Sequence, residues 1–117
     1  MPKKIAICST DSSPSSPVDG RFGRCSYFVI WDAEAKQYEA LSNTGPDAAH
    51  GAGTGAVQAL LRNNVDLVIS QRVGPKAFEA LQAAGLKIFA IGDAKTVEEA
   101  LQSYEAGKLQ ELSSPNN

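Results

Sequence analysis

The sequence of 117 residues has only two cysteines and one histidine, and it has no long hydrophobic run. Two cysteines do not build the dense disulfide framework of a small secreted domain. The longest apolar stretches, such as residues 65–69 and 88–91, have the length of strands and fall far short of the ~20 residues that a membrane helix needs. The apolar stretch near the amino terminus, residues 5–8, is too short for a secretory signal. These absences predict a protein of the reducing cytoplasm, without a membrane span or anchor.

An excess of charge of one sign is also missing, because eleven basic side chains stand against thirteen acidic ones and the net charge is −2. Such a chain has no general attraction to a phosphate backbone, so we expect no nucleic-acid partner. The hydrophobic content of 43% and the charged content of 21% are ordinary for a globular protein and exclude disorder. We predict a single domain over residues 1–112 and a flexible tail over residues 113–117.

The periodicity of the apolar residues predicts the element order β β β α β α β α. Strands are expected at residues 3–10, 26–32, 37–44, 65–69 and 86–91, and helices at residues 53–63, 75–84 and 96–107. The first strand is apolar without alternation, which indicates burial on both faces. Proline, serine and glycine crowd residues 11–20, which are therefore predicted to form a long loop.

This order predicts an α/β fold. If the first three strands form an antiparallel meander and right-handed helical crossovers add the last two, the result is a mixed five-stranded sheet of order 3-2-1-4-5, with strand 2 antiparallel. In such sheets ligands bind beyond the carboxyl ends of the strands, where the strand order reverses. Three loops should meet there, at residues 11–24, 45–54 and 70–76.

The second of these loops places glycines at alternate positions before a helix, in the run His50-Gly51-Ala52-Gly53-Thr54-Gly55. Backbone amides and the start of a helix offer donors and a positive partial charge to an anion. The spacing fits neither the dinucleotide fingerprint nor a nucleotide P-loop. Close packing of the helix on the sheet explains the glycines equally well. His50, the only histidine, is either a structural residue, a metal ligand or a donor to an anion.

Cations occupy the other two loops: Arg21 and Arg24 in the first, and Arg72 and Lys76 in the third. Lys76 is expected in the first turn of a helix, where a cation is electrostatically unfavourable for the helix itself. Such a departure from a local rule is typical of a functional residue, but a lysine that is simply solvated explains it equally well. Phe22 is expected to be exposed between two glycines.

The two cysteines receive different predictions. Cys8 lies within the first strand and is expected to be a buried, inert thiol. Cys25 lies where a loop meets a strand, beside an arginine, and is a candidate for a reactive or metal-binding thiolate. The sequence shows no set of nucleophile, base and orienting group.

Together, several motifs resemble the dinitrogenase iron–molybdenum cofactor-binding family, which includes NifX-type nitrogenase accessory proteins and the carboxy-terminal part of NifB-type cofactor synthases. The motifs are Asp19-Gly-Arg-Phe-Gly-Arg24, Tyr27-Phe-Val-Ile30, His50-Gly-Ala-Gly53, Val65-Asp-Leu-Val-Ile69 and Val73-Gly-Pro-Lys-Ala77. The resemblance covers residues 3–105. It implies a three-layer α/β/α fold of the ribonuclease-H-like type.

The resemblance further implies a protein that binds or carries an anionic metal–sulfur cluster and is not an enzyme. The cluster would contain molybdenum and be of the molybdenum–copper or iron–molybdenum type, and protein partners would belong to a delivery or assembly complex. The implied cluster-binding residues are Arg21, Phe22, Gly23, Arg24, His50, Gly51, Gly53, Arg72, Val73, Gly74 and Lys76, with His50 and Cys25 as possible metal contacts.

Two other functions stay open at this point. A metal-dependent phosphoesterase needs several carboxylates at strand ends, of which Asp11 is the best placed, with Asp47 and Asp93 next. A regulatory domain that binds a phosphate-bearing small molecule would use the same cations without any metal.

Overall fold

The computed structural model describes residues 3–22, 24–43 and 52–115. Within these ranges the helices and strands follow one another in the predicted order. They are β1 (Lys4–Ser9), β2 (Tyr27–Asp32), β3 (Gln37–Ser42), α1 (Ala52–Arg62), β4 (Leu67–Ile69), α2 (Pro75–Ala83), β5 (Lys87–Phe89) and α3 (Val97–Glu105). None of the helices in the described ranges is long and apolar enough to cross a membrane.

The sheet has the order β3-β2-β1-β4-β5, so β1 lies at its centre. β2 is antiparallel to both of its neighbours, whereas β4 runs parallel to β1 and to β5. In the register of the first two strands, Cys8 lies opposite Phe28 and Ser9 lies opposite Tyr27. The predicted mixed five-stranded sheet with an antiparallel second strand is confirmed.

Successive side chains of the central strand face opposite sides of the sheet, as the pleat requires. Ala6 and Cys8 pack in the core cluster that contains buried residues of α1 and α2. Ile5 and Ile7 pack in a second cluster that contains buried residues of α3. The fold therefore has three layers, and the absence of alternation in the sequence of β1 reflects burial on both sides.

Two edges of the sheet are distinguished below. The carboxyl edge is the one at which β1, β4 and β5 end, at Ser9, Ile69 and Phe89. Because β2 is antiparallel, it begins at the carboxyl edge, with Tyr27 beside Ser9. The amino edge is the opposite one, where the same three parallel strands begin. The segments 10–26, 70–74 and 90–96 therefore lie at the carboxyl edge.

The serine- and proline-rich loop after β1 is bound to the start of α3. The Val97 amide donates to the Ser16 carbonyl at 3.1 Å, and the Glu98 amide donates to the Pro14 carbonyl at 2.9 Å. The Thr96 side chain accepts a further amide of the first turn. These bonds satisfy amides that a helix leaves without internal partners. The loop is thus neither helix nor strand, as predicted, yet it is held by defined hydrogen bonds.

All three helices end at a residue in the left-handed region: Asn64 (φ 61°), Gly85 (φ 78°) and Gly107 (φ 74°). After α1, the Val65 amide donates back to the Leu60 carbonyl at 3.1 Å, and after α2 the Leu86 amide donates to the Leu81 carbonyl at 3.0 Å. This is the Schellman pattern of helix termination. Val65 and Leu86, predicted to begin strands, therefore terminate helices, and β4 and β5 are shorter than predicted.

Beyond α3 the chain returns along the outer side of β5. The Ala90 amide donates to the Gln110 carbonyl at 2.9 Å, and the Leu112 amide donates to the Ile88 carbonyl at 2.8 Å. Leu112 also packs against the core. β5 is the outermost strand on this side of the sheet. The returning segment pairs with backbone groups of β5 that would otherwise have no neighbouring strand.

Candidate functional site

The first and third loops of the carboxyl edge are joined through their backbones. The Gly20 carbonyl accepts the amides of Gln71 and Arg72 and, at 3.3 Å, the hydroxyl of Ser70. One residue later, the Phe22 amide donates to the Arg72 carbonyl at 2.9 Å. These bonds form a short parallel bridge that pairs Arg21 with Arg72. Two arginines 51 positions apart in the chain are thereby neighbours.

Gly20 allows this close approach. A Cβ atom built at Gly20 would lie 3.1 Å from the Cβ of Gln71, which is closer than ordinary van der Waals contact. Any larger residue at position 20 would therefore crowd the Gln71 side chain, which would have to shift by a few tenths of an ångström. Space against Gln71 favours glycine here, since the conformation of Gly20 is not left-handed.

Asp19 orients the first arginine of the site. Its carboxylate accepts the backbone amide of Arg21 at 3.0 Å and lies 3.3 Å from the Arg21 Nε. The Asp19 side chain is only 12% exposed, whereas that of Arg21 is 64% exposed. One carboxylate thus directs the guanidinium and leaves most of its donors in solvent.

Arg24 belongs to the same tight turn, because its amide donates to the Arg21 carbonyl at 3.1 Å. Arg24, Arg72 and Lys76 are all exposed. Within residues 3–22, 24–43 and 52–115, no carboxylate lies within ion-pair distance of these three cations. These three cations are therefore available to an anion, although the whole chain is slightly acidic.

The start of α2 adds to this positive charge. Gly74 is the N-cap residue and provides no side-chain hydrogen bond to the helix, and the first turn has no acidic residue. The amides of a first turn carry a positive partial charge that an anion stabilises. Pro75 stands at the favoured first position and Lys76 follows it, so the predicted placement of this lysine in the first turn is confirmed.

Two apolar side chains anchor the loops that carry the cations. Phe22, expected to be exposed, is instead buried and packs against Phe28 with ring centroids 5.7 Å apart. Val73 is completely buried in the same cluster. The expectation for Phe22 was wrong because flanking glycines describe only the local chain, whereas the turn folds back over the sheet and inserts the ring into the core.

Beneath these loops lies a group of buried polar side chains. Ser9, Asn43 and Ser70 are buried, and so are the two cysteines. The Asn43 amide nitrogen donates to the Cys25 carbonyl at 2.9 Å and lies 3.9 Å from the Cys25 sulfur. Each of the two cysteines influences the pKa of the other. Sequence reasoning treated the two cysteines separately and missed this coupling.

The environments of the two thiols shift their pKa values in opposite directions. Burial raises the pKa of the Cys8 thiol well above its ordinary value, and the neighbouring Cys25 raises it further. The hydrogen bond from Cys8 lowers the pKa of Cys25, against an opposing effect of burial, and donors from Ser9 and Asn43 lower it further. The Cys25 sulfur is therefore the one at which a thiolate is favoured.

Three predicted site residues are not among the residues that the structure describes, namely Gly23, His50 and Gly51. Gly53 lies in the first turn of α1. Because α1 runs from the carboxyl edge towards the start of β4, its first turn is at the carboxyl edge, as the second of the three loops requires.

In the described residues, no three side chains of the types histidine, cysteine, aspartate and glutamate are grouped so that they could hold a metal ion. Arginine, lysine and backbone amides are donors of hydrogen bonds and are not metal ligands. The described donors at the carboxyl edge therefore fit an anion that brings its own metal ions better than a bare cation.

The amino edge contains a cavity of about 730 Å³, whose lining includes Lys3, Asp66 and Lys87. Here opposite charges are close: Lys3 lies 3.3 Å from Glu34, and the Asp66 carboxylate accepts the backbone amide of Lys3 at 2.9 Å. The cavity lies at the other end of the strands from the loops described above. Size alone does not make it the candidate site.

Comparison with known proteins agrees with this fold and these motifs. The sequence profile of the dinitrogenase iron-molybdenum cofactor family matches residues 2–107. An uncharacterized protein of Methanocaldococcus jannaschii is 30% identical over 112 residues, which span 93% of this chain and 91% of the relative.

Two solved structures are also similar. One is the apo form of the orange protein from Desulfovibrio gigas, which the motifs of this chain also resemble. It has a TM-score of 0.93 and 35% identity over 98% of this chain and 97% of that one. The other is a NifB-like protein from Thermotoga, with a TM-score of 0.86 and 38% identity over the same shares of the two chains. The chain belongs to the dinitrogenase iron-molybdenum cofactor family.

Proposed function

We propose that this protein binds and carries an anionic metal–sulfur cluster at the carboxyl edge and does not convert a substrate. The observation that carries the proposal is the backbone bridge that holds Arg21 beside Arg72, next to the uncapped start of α2. A sulfide-bridged cluster is bulky and negatively charged, so guanidinium groups and backbone amides suit it. Membership of a family named for the iron–molybdenum cofactor supports the same assignment.

In this proposal the cations have different roles. Arg21, already oriented by Asp19, and Arg72 donate directly to sulfide. Arg24 and Lys76 add positive charge from the two sides. Each charge-assisted hydrogen bond contributes about 1.5–3 kcal/mol, which corresponds to a change of roughly 10- to 100-fold in affinity.

The other predicted residues act through backbone amides or by holding the loops against the core. Gly23, Gly51, Gly53 and Gly74 leave room for amides to approach the cluster. Phe22 and Val73 fix the loops from the core. His50 is proposed as the residue that ligates or donates to a metal–sulfide unit.

Cys25, the other predicted metal contact, is buried beneath the turn that contains Arg24. A cluster that approaches from solvent meets the cations before it meets this sulfur. We therefore propose a cluster held chiefly by charge and amide donors, of the molybdenum–copper or iron–molybdenum type. The name of the iron–molybdenum family and the likeness to the orange protein support this choice.

The test uses tetrathiomolybdate, a simple molybdenum–sulfur anion, with reduced protein. Visible absorbance and molybdenum content are measured after gel filtration for the wild type and for Arg21→Ala, Arg72→Ala and His50→Ala. We expect each arginine variant to bind at least about tenfold more weakly, because one charge-assisted contact is lost. Arg62→Ala is the matched control, since Arg62 is an exposed arginine in the last turn of α1, at the amino edge. Unchanged retention in all three site variants would reject the assignment.

The same experiment separates the two alternatives. A phosphate-binding regulatory domain would bind inorganic phosphate through Arg21 and Arg72 and retain no molybdenum. A metal-dependent phosphoesterase would hydrolyse a phosphate ester with magnesium and lose that activity in Asp11→Asn. The second alternative has less support, because the described residues provide no group of three possible metal ligands.

A further inference from the structure

One face of the sheet is only partly covered by helix. In the described ranges, α3 is the only helix with side chains in the core cluster on this face, where they pack with those of the central strand β1. On the outer strands beside it, Val29 of β2 lies opposite Ala40 of β3, and Trp31 lies opposite Tyr38. Val29 is buried, whereas Ala40 is exposed and the two aromatic side chains are half-buried. The outer part of this face is therefore open to solvent.

Trp31 and Tyr38 form the apolar part of this open face. Their ring centroids are 4.8 Å apart, with an angle of 55° between the ring planes. Both side chains pack against the same core cluster as Leu101 of α3. Tryptophan and tyrosine are typical anchors of protein interfaces, because each offers a large rigid apolar area together with a polar group.

Two carboxylates of α3 flank the aromatic pair. Glu98 and Glu105 are about two helical turns apart, so they lie on the same side of α3. Burial raises the pKa of the Tyr38 hydroxyl, and the negative charges of Glu98 and Glu105 raise it further, which agrees with their position beside β3. Both glutamates are exposed, and neither has an ion pair among the described residues. The four side chains form an aromatic–acidic surface: Trp31, Tyr38, Glu98 and Glu105.

Helix stability does not account for all of the acidic residues of α3. Glu98 and Glu99 stand in the first turn, where a negative charge is favourable, and the Glu99 carboxylate also accepts the Lys95 amide at 3.2 Å. Glu105 is the final residue of α3, where the negative partial charge of the helix end disfavours a carboxylate and no basic residue compensates it. A departure from a local rule is typical of a functional position. A cation from outside the chain would compensate Glu105.

We propose that the aromatic–acidic surface binds an arginine-containing segment of a partner protein. A guanidinium group is planar, so it stacks on an aromatic ring while its N–H groups donate to a carboxylate. Charge complementarity selects this occupant over a second copy of the chain, because a symmetric contact would place the same glutamates against each other. Trp31 and Tyr38 lie at the amino-edge ends of their strands, away from the Arg21–Arg72 bridge. Docking here leaves the carboxyl edge open, and the proposal does not rest on cluster binding.

The test titrates the full chain with a capped oligo-arginine peptide and follows the fluorescence of Trp31. Trp31 is the only tryptophan, so the emission reports on this surface alone. We expect a saturable change that weakens at high ionic strength. An oligo-lysine peptide of equal length should bind about threefold more weakly, because an ammonium group does not stack in the same way. An unchanged emission, or equal binding of the two peptides, would overturn the proposal.

A pair of matched variants tests the role of the carboxylates. Glu105→Gln should weaken binding of the oligo-arginine peptide about two- to fivefold, because one exposed ion pair is lost. This change also removes an unfavourable charge from the end of α3, so unfolding does not explain a loss of binding. Glu79→Gln changes the net charge equally, but Glu79 is an exposed residue of α2, outside the aromatic–acidic surface. Equal weakening in both variants would mean that the peptide responds only to net charge, which would contradict the proposal.

A third variant tests the aromatic part while it keeps Trp31 as the reporter. Tyr38→Leu retains an apolar side chain and should weaken binding about threefold, since one stacking surface is lost. Circular dichroism checks its fold, and the glutamate variants stand as the test if it is unfolded. Binding of tetramethylammonium as tight as that of the peptide, or an emission that changes with protein concentration alone, would overturn the assignment to a partner segment. All measurements use protein without a cluster, so their failure is distinct from a failure of the proposed function.

Discussion

The carboxyl edge and the amino edge belong to the same small sheet, yet they use charge differently. At the amino edge Lys3 is paired with Glu34, and the Asp66 carboxylate accepts the amides of Lys3 and Lys4. At the carboxyl edge one carboxylate, Asp19, orients Arg21, and the other described cations have no acidic partner. Arg62 and Lys87 of the amino edge also have no ion pair among the described residues, so what distinguishes the carboxyl edge is that its cations lie on two loops joined by the Arg21–Arg72 bridge. Cations gathered in this way favour the binding of an anion.

The two edges also differ in how they are anchored. The cationic loops are joined by the bonds to the Gly20 carbonyl and held from below by Phe22 and Val73. At the amino edge, helix ends such as Gly85 meet strand starts, and Leu61 stays 44% exposed. A site that must hold a ligand without closing over it needs rigid loops, and the carboxyl edge has the contacts that make loops rigid.

The largest contrast is expected between Phe22→Ala and Leu61→Ala. Truncating the buried Phe22 removes its packing on Phe28 and should lower the free energy of unfolding by about 3 kcal/mol. Leu61 is already half in water, so its truncation should cost less than about 1 kcal/mol. Urea unfolding of both variants measures the difference. Equal losses would show that Phe22 is not an anchor of the carboxyl edge.

A smaller contrast compares glycines at the two edges. Gly20→Ala crowds Gln71 and should lower the free energy of unfolding by about 1 kcal/mol. Gly85→Ala forces a side chain into the left-handed region and should cost about 1–2 kcal/mol.

Retention of tetrathiomolybdate separates these two changes. It should fall in Gly20→Ala, which displaces Arg21 from Arg72, and stay constant in Gly85→Ala. If both variants retained the anion equally, the close approach of the loops would have no part in binding.

The smallest effect is expected at the ion pair of the amino edge. The side chains of Lys3 and Glu34 are 72% and 70% exposed, so solvent screens their attraction. Glu34→Gln should change the free energy of unfolding by less than about 0.5 kcal/mol, with little dependence on salt. Urea unfolding at low and high ionic strength checks this. A larger loss that disappears in salt would mean that the amino edge depends on its charges more than its exposure indicates.

Much of the fold could be predicted because its determinants are local. The apolar run of β1 indicated a central strand, and Pro75, Gly85, Thr96 and Gly107 marked helix ends through their own chemistry. Together with the handedness of crossovers these signals led to the strand order. The predicted strand starts were wrong where an apolar residue takes part in ending the preceding helix. Val65 and Leu86 look like strand residues because they are apolar, but their amides complete helix ends.

The candidate site was less predictable. The sequence indicated that Arg21 and Arg72 approach each other, but the bond that brings them together involves the backbone of Gly20, which no residue pattern displays. Phe22 was misplaced because the insertion of a ring depends on how the whole turn folds over the sheet. His50 lies outside the described residues and stays a prediction.

By itself the sequence determined which residues form strands and helices, the order of the strands and the motifs that indicate the family, because propensity, capping and periodicity act over a few neighbouring residues. Only the tertiary structure decided that Gly20 meets Gln71, that Phe22 is buried and that the Phe22 amide bonds to the Arg72 carbonyl. These contacts join residues that are far apart in the chain. They arise when loops pack over a finished sheet, and packing depends on the shape of all the partners at once.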